Sequence, residues 1–77
     1  MKKLQILGTG CSSCNKLADM TQKAAMDMKL EFELEKVTEI DRIMAFDVAS
    51  TPALVVDGEV KVWGRIPTHD EIVEMIT

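Results

Sequence analysis

In residues 31–37, EFELEKV, Phe32, Leu34 and Lys36 on one side alternate with Glu31, Glu33 and Glu35 on the other. A period of two predicts a strand with one wet face. From Ser12 to about Lys29 the period lengthens. Leu17, Met20, Thr21, Ala24 and Met28 recur at three- and four-residue steps, with Lys16, Asp19, Lys23 and Asp27 opposite them. That spacing predicts an amphipathic helix. Upstream, KLQILGTG has the apolar content of a short strand stopped by Gly8 and Gly10. After the alternating run, Thr38 with Asp41 three residues on predicts a capped helix start, and Ile40, Ile43, Met44 and Val48 form its apolar face. In ALVVDGEVKVWG, two β-rich runs flank Asp57-Gly58, a pair favoured in tight hairpin turns. The last segment opens on Pro67 and Thr68. Thr68 and Glu71 predict a second capping box, ahead of an Ile72, Val73 and Ile76 stripe.

The predicted order is β-α-β-α-β-β-α. A helix lies between each pair of the first three strands, and a hairpin follows only about four residues after the second helix. An α/β fold fits this order, with a mixed four-stranded sheet and helices on both faces.

Length and charge narrow the function. Seventy-seven residues predict one domain spanning 1–77, with a small core. The formal net charge is -4 and the only basic pair is Lys2-Lys3, which excludes a polyanion such as nucleic acid as partner. No apolar run approaches a membrane span, and the N-terminal run is too short for a signal-peptide core. The expectation is a cytoplasmic chain whose thiols rest reduced and cycle only during turnover.

Cys11 and Cys14, in GTGCSSCNK, are the only cysteines. A loop this short gives a disulfide little power to stabilise the fold, so the pair points to chemistry. If the helix starts at Ser12, Cys11 stands at its N-terminus, where amide N–H groups and the helix dipole favour thiolate. Cys14 falls in the first turn. Cys11 then attacks a partner's disulfide, and Cys14 resolves the mixed disulfide. Two buried structural thiols are the bland alternative, and a glycine-flanked turn is a poor place for them. A closed zinc site needs about four ligands; two thiolates and His69 fall short of that.

GCSSC after the first strand, STPALVVDG in the second half and VWGRIP before the final helix together resemble the thioredoxin-like fold. Over nearly its full length the chain resembles the small, glutaredoxin-sized redox-active disulfide proteins. The resemblance implies strand order 2-1-3-4, with strand 3 antiparallel to strand 1. It implies that Gly10, Cys11, Cys14, Thr51, Pro52, Gly64 and Arg65 meet at one edge of the sheet. It also implies a cis Thr51-Pro52 bond, with the Thr51 backbone pairing with an extended substrate peptide. The implied activity is thiol–disulfide exchange on protein disulfides by a Cys11–Cys14 couple. No bound cofactor or metal is implied. The chain would act as a monomer and draw electrons from a donor like thioredoxin reductase.

Two features depart from the better-known thioredoxins. They carry an aromatic residue before the first cysteine and Gly-Pro between the pair, where this chain has Gly10, Ser12 and Ser13. They also carry a buried acid on the first strand, at the position of Gln5, that helps move the second thiol's proton. Trp63 reads as core or shielding surface, the methionines as core filler, and His69 as without a catalytic role. The alternative is a metal carrier like the heavy-metal-associated domains, which also place CxxC between a strand and a helix. Their order is β-α-β-β-α-β, and Met usually precedes their first cysteine where this chain has Thr9. A third reading is a binding module without turnover.

Overall fold

The structure is a computed structural model that describes residues 1–10 and 12–77. Its elements are β1 (Lys2–Leu7), α1 (Ser12–Asp27), β2 (Phe32–Val37), α2 (Ile40–Ala45), β3 (Ala53–Val56), β4 (Glu59–Trp63) and α3 (His69–Ile76). The strands form one sheet in the order β2-β1-β3-β4. β1 runs parallel to β2, with Lys2 opposite Phe32 and Leu7 opposite Val37. It runs antiparallel to β3, with Leu7 opposite Ala53. The predicted element order and strand order are both those observed.

Each strand's pattern decides its place. All four residues of β3, Ala-Leu-Val-Val, are buried, as an interior strand covered on both faces must be. On one face, Leu4, Ile6, Leu54, Val56 and Val62 pack against Leu17, Ala18, Ala24 and Ala25 of α1 and Ile72 and Ile76 of α3. On the other, Leu7, Val37, Ala53 and Val55 meet Ile43 of α2, with Phe46 and Val48 at the margin. The β3–β4 turn is built on Asp57 (φ 52°) and Gly58 (φ 85°). Two consecutive positive φ values are what a two-residue hairpin turn of the twist-matching kind requires. Asp57 also closes the far end of the sheet. Its Oδ1 accepts from Lys3 N at 2.9 Å, and its own N–H donates to Lys3 O at 2.8 Å.

Several expectations need correction. Thr38 does not cap α2. The N-cap is Glu39, in extended conformation and without a side-chain cap bond. The Glu39 carboxylate lies 3.7 Å from Arg42, while Thr38 turns to a recess beside Cys14. The expected apolar face of α2 is mostly wet: Ile43 is buried, but Ile40 is 61% exposed and Met44 68%. The helix ends after six residues, closed by the Phe46 and Asp47 N–H groups on the Ile43 and Met44 carbonyls. One and a half turns bring one side chain to the core. Of the two readings of Trp63, core or shielding surface, its 49% exposure fits the surface one. Of the methionines, Met20, Met28 and Met75 pack at the core margin, while Met1, Met26 and Met44 are exposed. The capping box at Thr68 and Glu71 forms as predicted.

Candidate active site

β1 and β2 end, and β3 begins, at the same end of the sheet. There the chain leaves β1 through Gly8, Thr9 and Gly10 and enters α1 at Ser12. Gly10 has φ 93°, a conformation that favours glycine. The first turn of α1 contains no acidic residue, so no carboxylate offsets the positive end of the helix dipole.

Cys14 lies in that first turn and is buried. Its seat depends on Gly8. A Cβ at position 8 would fall 2.1 Å from the Cys14 sulfur and 2.8 Å from its Cβ. The sulfur thus occupies the volume that any other residue at position 8 would fill. The same Cβ position lies 4.0 Å from Cβ of Thr51, so Gly8 is where the helix start and the entry to β3 meet. The Thr51-Pro52 peptide bond is cis, and Pro52 is buried. Gly64, just past β4, donates its N–H to Pro52 O at 2.9 Å. Gly64 has φ 81°, and a Cβ there would lie 2.7 Å from Oγ of Ser50.

Of the residues singled out from sequence, Cys14, Thr51, Pro52 and Gly64 therefore gather at one end of the sheet. Gly10 lines a recess beside Cys14. Cys11 lies outside the described residues. Arg65 is engaged elsewhere. Its guanidinium donates to both carboxylate oxygens of Glu71, at 3.2 and 2.8 Å. Glu71 also accepts from Thr68 N. With Arg65 foremost, these contacts lower the Glu71 carboxyl from 4.5 to about 2. Trp63 pairs with Ala53 next to Gly64, at the rim.

Sequence reasoning missed three residues. Gly8 was visible only as a strand stop, and nothing in the one-dimensional pattern says that a sulfur will fill its missing side chain. Lys36 and Asn15 are the others. Lys36 Nζ donates to Asn15 Oδ1 at 3.4 Å, tying β2 to the start of α1 across the recess shared by Gly8, Gly10, Cys14 and Thr38. Gln5 turns the other way. Its amide donates to Glu35 Oε1 at 2.9 Å, and Arg42 of α2 holds both oxygens of that carboxylate. Arg42 foremost, with Gln5, lowers the Glu35 carboxyl below its usual value.

A helix that opens directly after the first cysteine of a CxxC, a cis proline leading into the antiparallel third strand, and a 2-1-3-4 sheet together define the thioredoxin-like class. Residues 2–77 match the family described as thioredoxin domain, and the chain belongs to it. It is 36% identical over 77 residues to a thioredoxin of Methanothermobacter thermautotrophicus, covering 100% of both chains. It is 34% identical over 74 residues to a thioredoxin of Methanocaldococcus jannaschii, covering 96% of this chain and 85% of that one. The metal-carrier alternative draws no support from these likenesses. It also required a β-α-β-β-α-β order, which this fold does not have.

Proposed function

We propose that this chain is a thiol–disulfide oxidoreductase acting on protein disulfides, with residues 1–77 as one domain. Cys11 is the nucleophile. Its thiolate attacks one sulfur of a partner's disulfide, forming a Cys11–partner bond, and the other partner sulfur leaves with the electron pair and takes a proton. Cys14 then loses its proton and attacks Cys11, and the second partner sulfur leaves as a thiol. Two electrons and two protons have passed to the partner, and the chain holds a Cys11–Cys14 disulfide. A reductase of the thioredoxin-reductase kind returns the electrons. The dithiol itself carries them, so the cycle needs no resident cofactor.

The observation that carries this reading is the seating of the Cys14 sulfur against Gly8, beside Thr51. A sulfur buried at the base of the site suits a resolving role, since it is shielded from partners. Thr51, Pro52, Gly10 and Gly64 offer backbone and little side chain, which suits an extended peptide lying along the edge of the site. Arg65, bound to Glu71, serves that loop's shape rather than the sulfur. A monomer in the cytoplasm, where partner disulfides are transient, fits this cycle.

The test is trapping. Cys14→Ser leaves the mixed disulfide unresolved, so this variant is expected to carry disulfide-linked partners out of a lysate. Cys11→Ser is expected to capture far fewer. The proposal fails if neither variant captures a disulfide-linked protein that dithiothreitol releases.

A further inference from the structure

Resolution requires Cys14 to give up a proton from a buried position, and burial in apolar surroundings opposes thiolate. The first-strand position that holds an acid in better-known thioredoxins is Gln5 here. Its amide is turned to Glu35 and Arg42, on the side of the sheet that α2 covers. Cys14 lies on the opposite side, where α1 packs. The recess beside it is opened by two residues without side chains, Gly8 and Gly10, and walled by Lys36, Asn15 and Thr38. Among the described residues lining it, Lys36 is the one titratable group besides Cys14. From β1 the recess receives Ile6 and Gly8, which carry no charge. The nearby entry to β3 contributes Thr51, also uncharged. The Asn15 amide oxygen holds the Lys36 ammonium at the start of α1.

We infer that Lys36 is a positioning residue for the resolving step: clamped by Asn15 across the recess, its ammonium favours the thiolate form of Cys14. This inference rests on the exchange reading above. The Cys14 proton passes to water in the recess. The thiolate left behind shares the recess with the Lys36 cation, and no carboxylate among the described residues lines that recess to take the proton. The sulfur then bonds to Cys11, the Cys11–partner bond breaks, and the departing partner thiolate is protonated by solvent. Lys36 neither gains nor loses a proton in this sequence. It acts through charge alone; Lys36 and Asn15 are exposed, so the effect is modest and is screened by salt.

The experiment titrates Cys14 alone. In the reduced Cys11→Ser chain, the rate of Cys14 alkylation by iodoacetamide is followed against pH. Lys36→Gln is expected to move the profile to higher pH and to slow alkylation several-fold near neutrality. Lys36→Arg is expected to restore most of the rate, and Asn15→Ala to produce a smaller shift in the same direction as Lys36→Gln. Added salt should narrow the gap between the parent and Lys36→Gln, because it screens the cation. Circular dichroism of each variant confirms that the comparison is between folded chains. Coincident profiles for the parent and Lys36→Gln overturn the inference, as does failure of Lys36→Arg to rescue. The readout uses one thiol and no partner, so its failure is separable from a failure of trapping. An unmoved profile removes Lys36 and leaves the exchange reading standing, whereas absent trapping removes the exchange reading itself.

Discussion

The two faces of the sheet are built to different standards. The face under α1 and α3 is closed: two helices of sixteen and eight residues cover it, and Leu4, Leu17, Leu54, Ile72 and Ile76 are sealed from water. The face under α2 is covered more thinly, although Leu7, Val37, Ala53 and Val55 are sealed there too. Six helical residues contribute one buried side chain, Ile43, while Ile40 and Met44 remain in solvent. A chain this small has limited apolar area, and the larger of its two cores lies on the side of α1, the helix that carries Cys14. The Cys14 sulfur is thereby seated against Gly8 beside the larger of the two cores.

This contrast is open to direct attack. Ile72→Ala, in the closed face, is expected to cost about 2–5 kcal/mol, because the surroundings are too well packed to collapse into the gap. Ile43→Ala is expected to fall at or below the lower end of that range, since its site borders solvent and can relax. Urea denaturation of both variants measures the difference, and equal losses would mean that the faces are equivalent after all.

A smaller effect lies inside the closed face itself. Thr21 is fully buried, and its hydroxyl has no hydrogen-bond partner among the described residues. Thr21→Val keeps the shape and removes the orphaned polar group, so a gain of about 1 kcal/mol is expected. A higher thermal midpoint without change in the helical spectrum would support it. A loss would show that the hydroxyl is satisfied by water.

The smallest effect separates the faces by pH. Each carries a carboxylate clamped by arginine, Glu71 by Arg65 and Glu35 by Arg42. Both carboxyls titrate lower in the folded chain than their ordinary value, Glu71 at about 2 against 4.5. A carboxyl depressed on folding contributes stability above its unfolded value and loses it as pH falls toward the folded one. The Glu71 contribution is therefore present above about pH 4.5 and lost between there and about 2. Arg65→Gln should move the acid-unfolding midpoint upward, and Arg42→Gln should move it less. Both groups are exposed, so both shifts should be slight and should shrink in salt. A larger shift from Arg42→Gln would reverse the ranking of the faces.

Much of this was legible in the sequence, for identifiable reasons. EFELEKV shows its strand because alternation is a local property, and ALVVDGEVKVWG shows its hairpin because Asp57-Gly58 sits between two β-rich runs. Thr68 and Glu71 announced their cap because both partners lie within one turn. The Thr38 cap fails because the helix starts one residue later than the box requires, with Glu39 as N-cap and Ile40 as its first residue. The place of Arg65 after β4 points it to the site, but a carboxylate six residues on, Glu71, holds its guanidinium. Gly8 and Lys36 could not be found at all. One works through the side chain it lacks, and the other through Asn15, twenty-one residues away, across a parallel strand pairing.

The strand order has a further consequence, for how copies of this chain meet one another. Leu54-Val55-Val56 is the run best suited to recruit a foreign strand, since it is β-prone and uncharged. In the 2-1-3-4 order it has β1 on one side and β4 on the other, so neither of its hydrogen-bonding edges faces solvent. Both outer strands carry charge, Glu33, Glu35 and Lys36 on β2 and Glu59 and Lys61 on β4. Charged side chains on an edge strand discourage edge-to-edge pairing. The sheet thus keeps its stickiest segment walled in and offers its neighbours two charged rails.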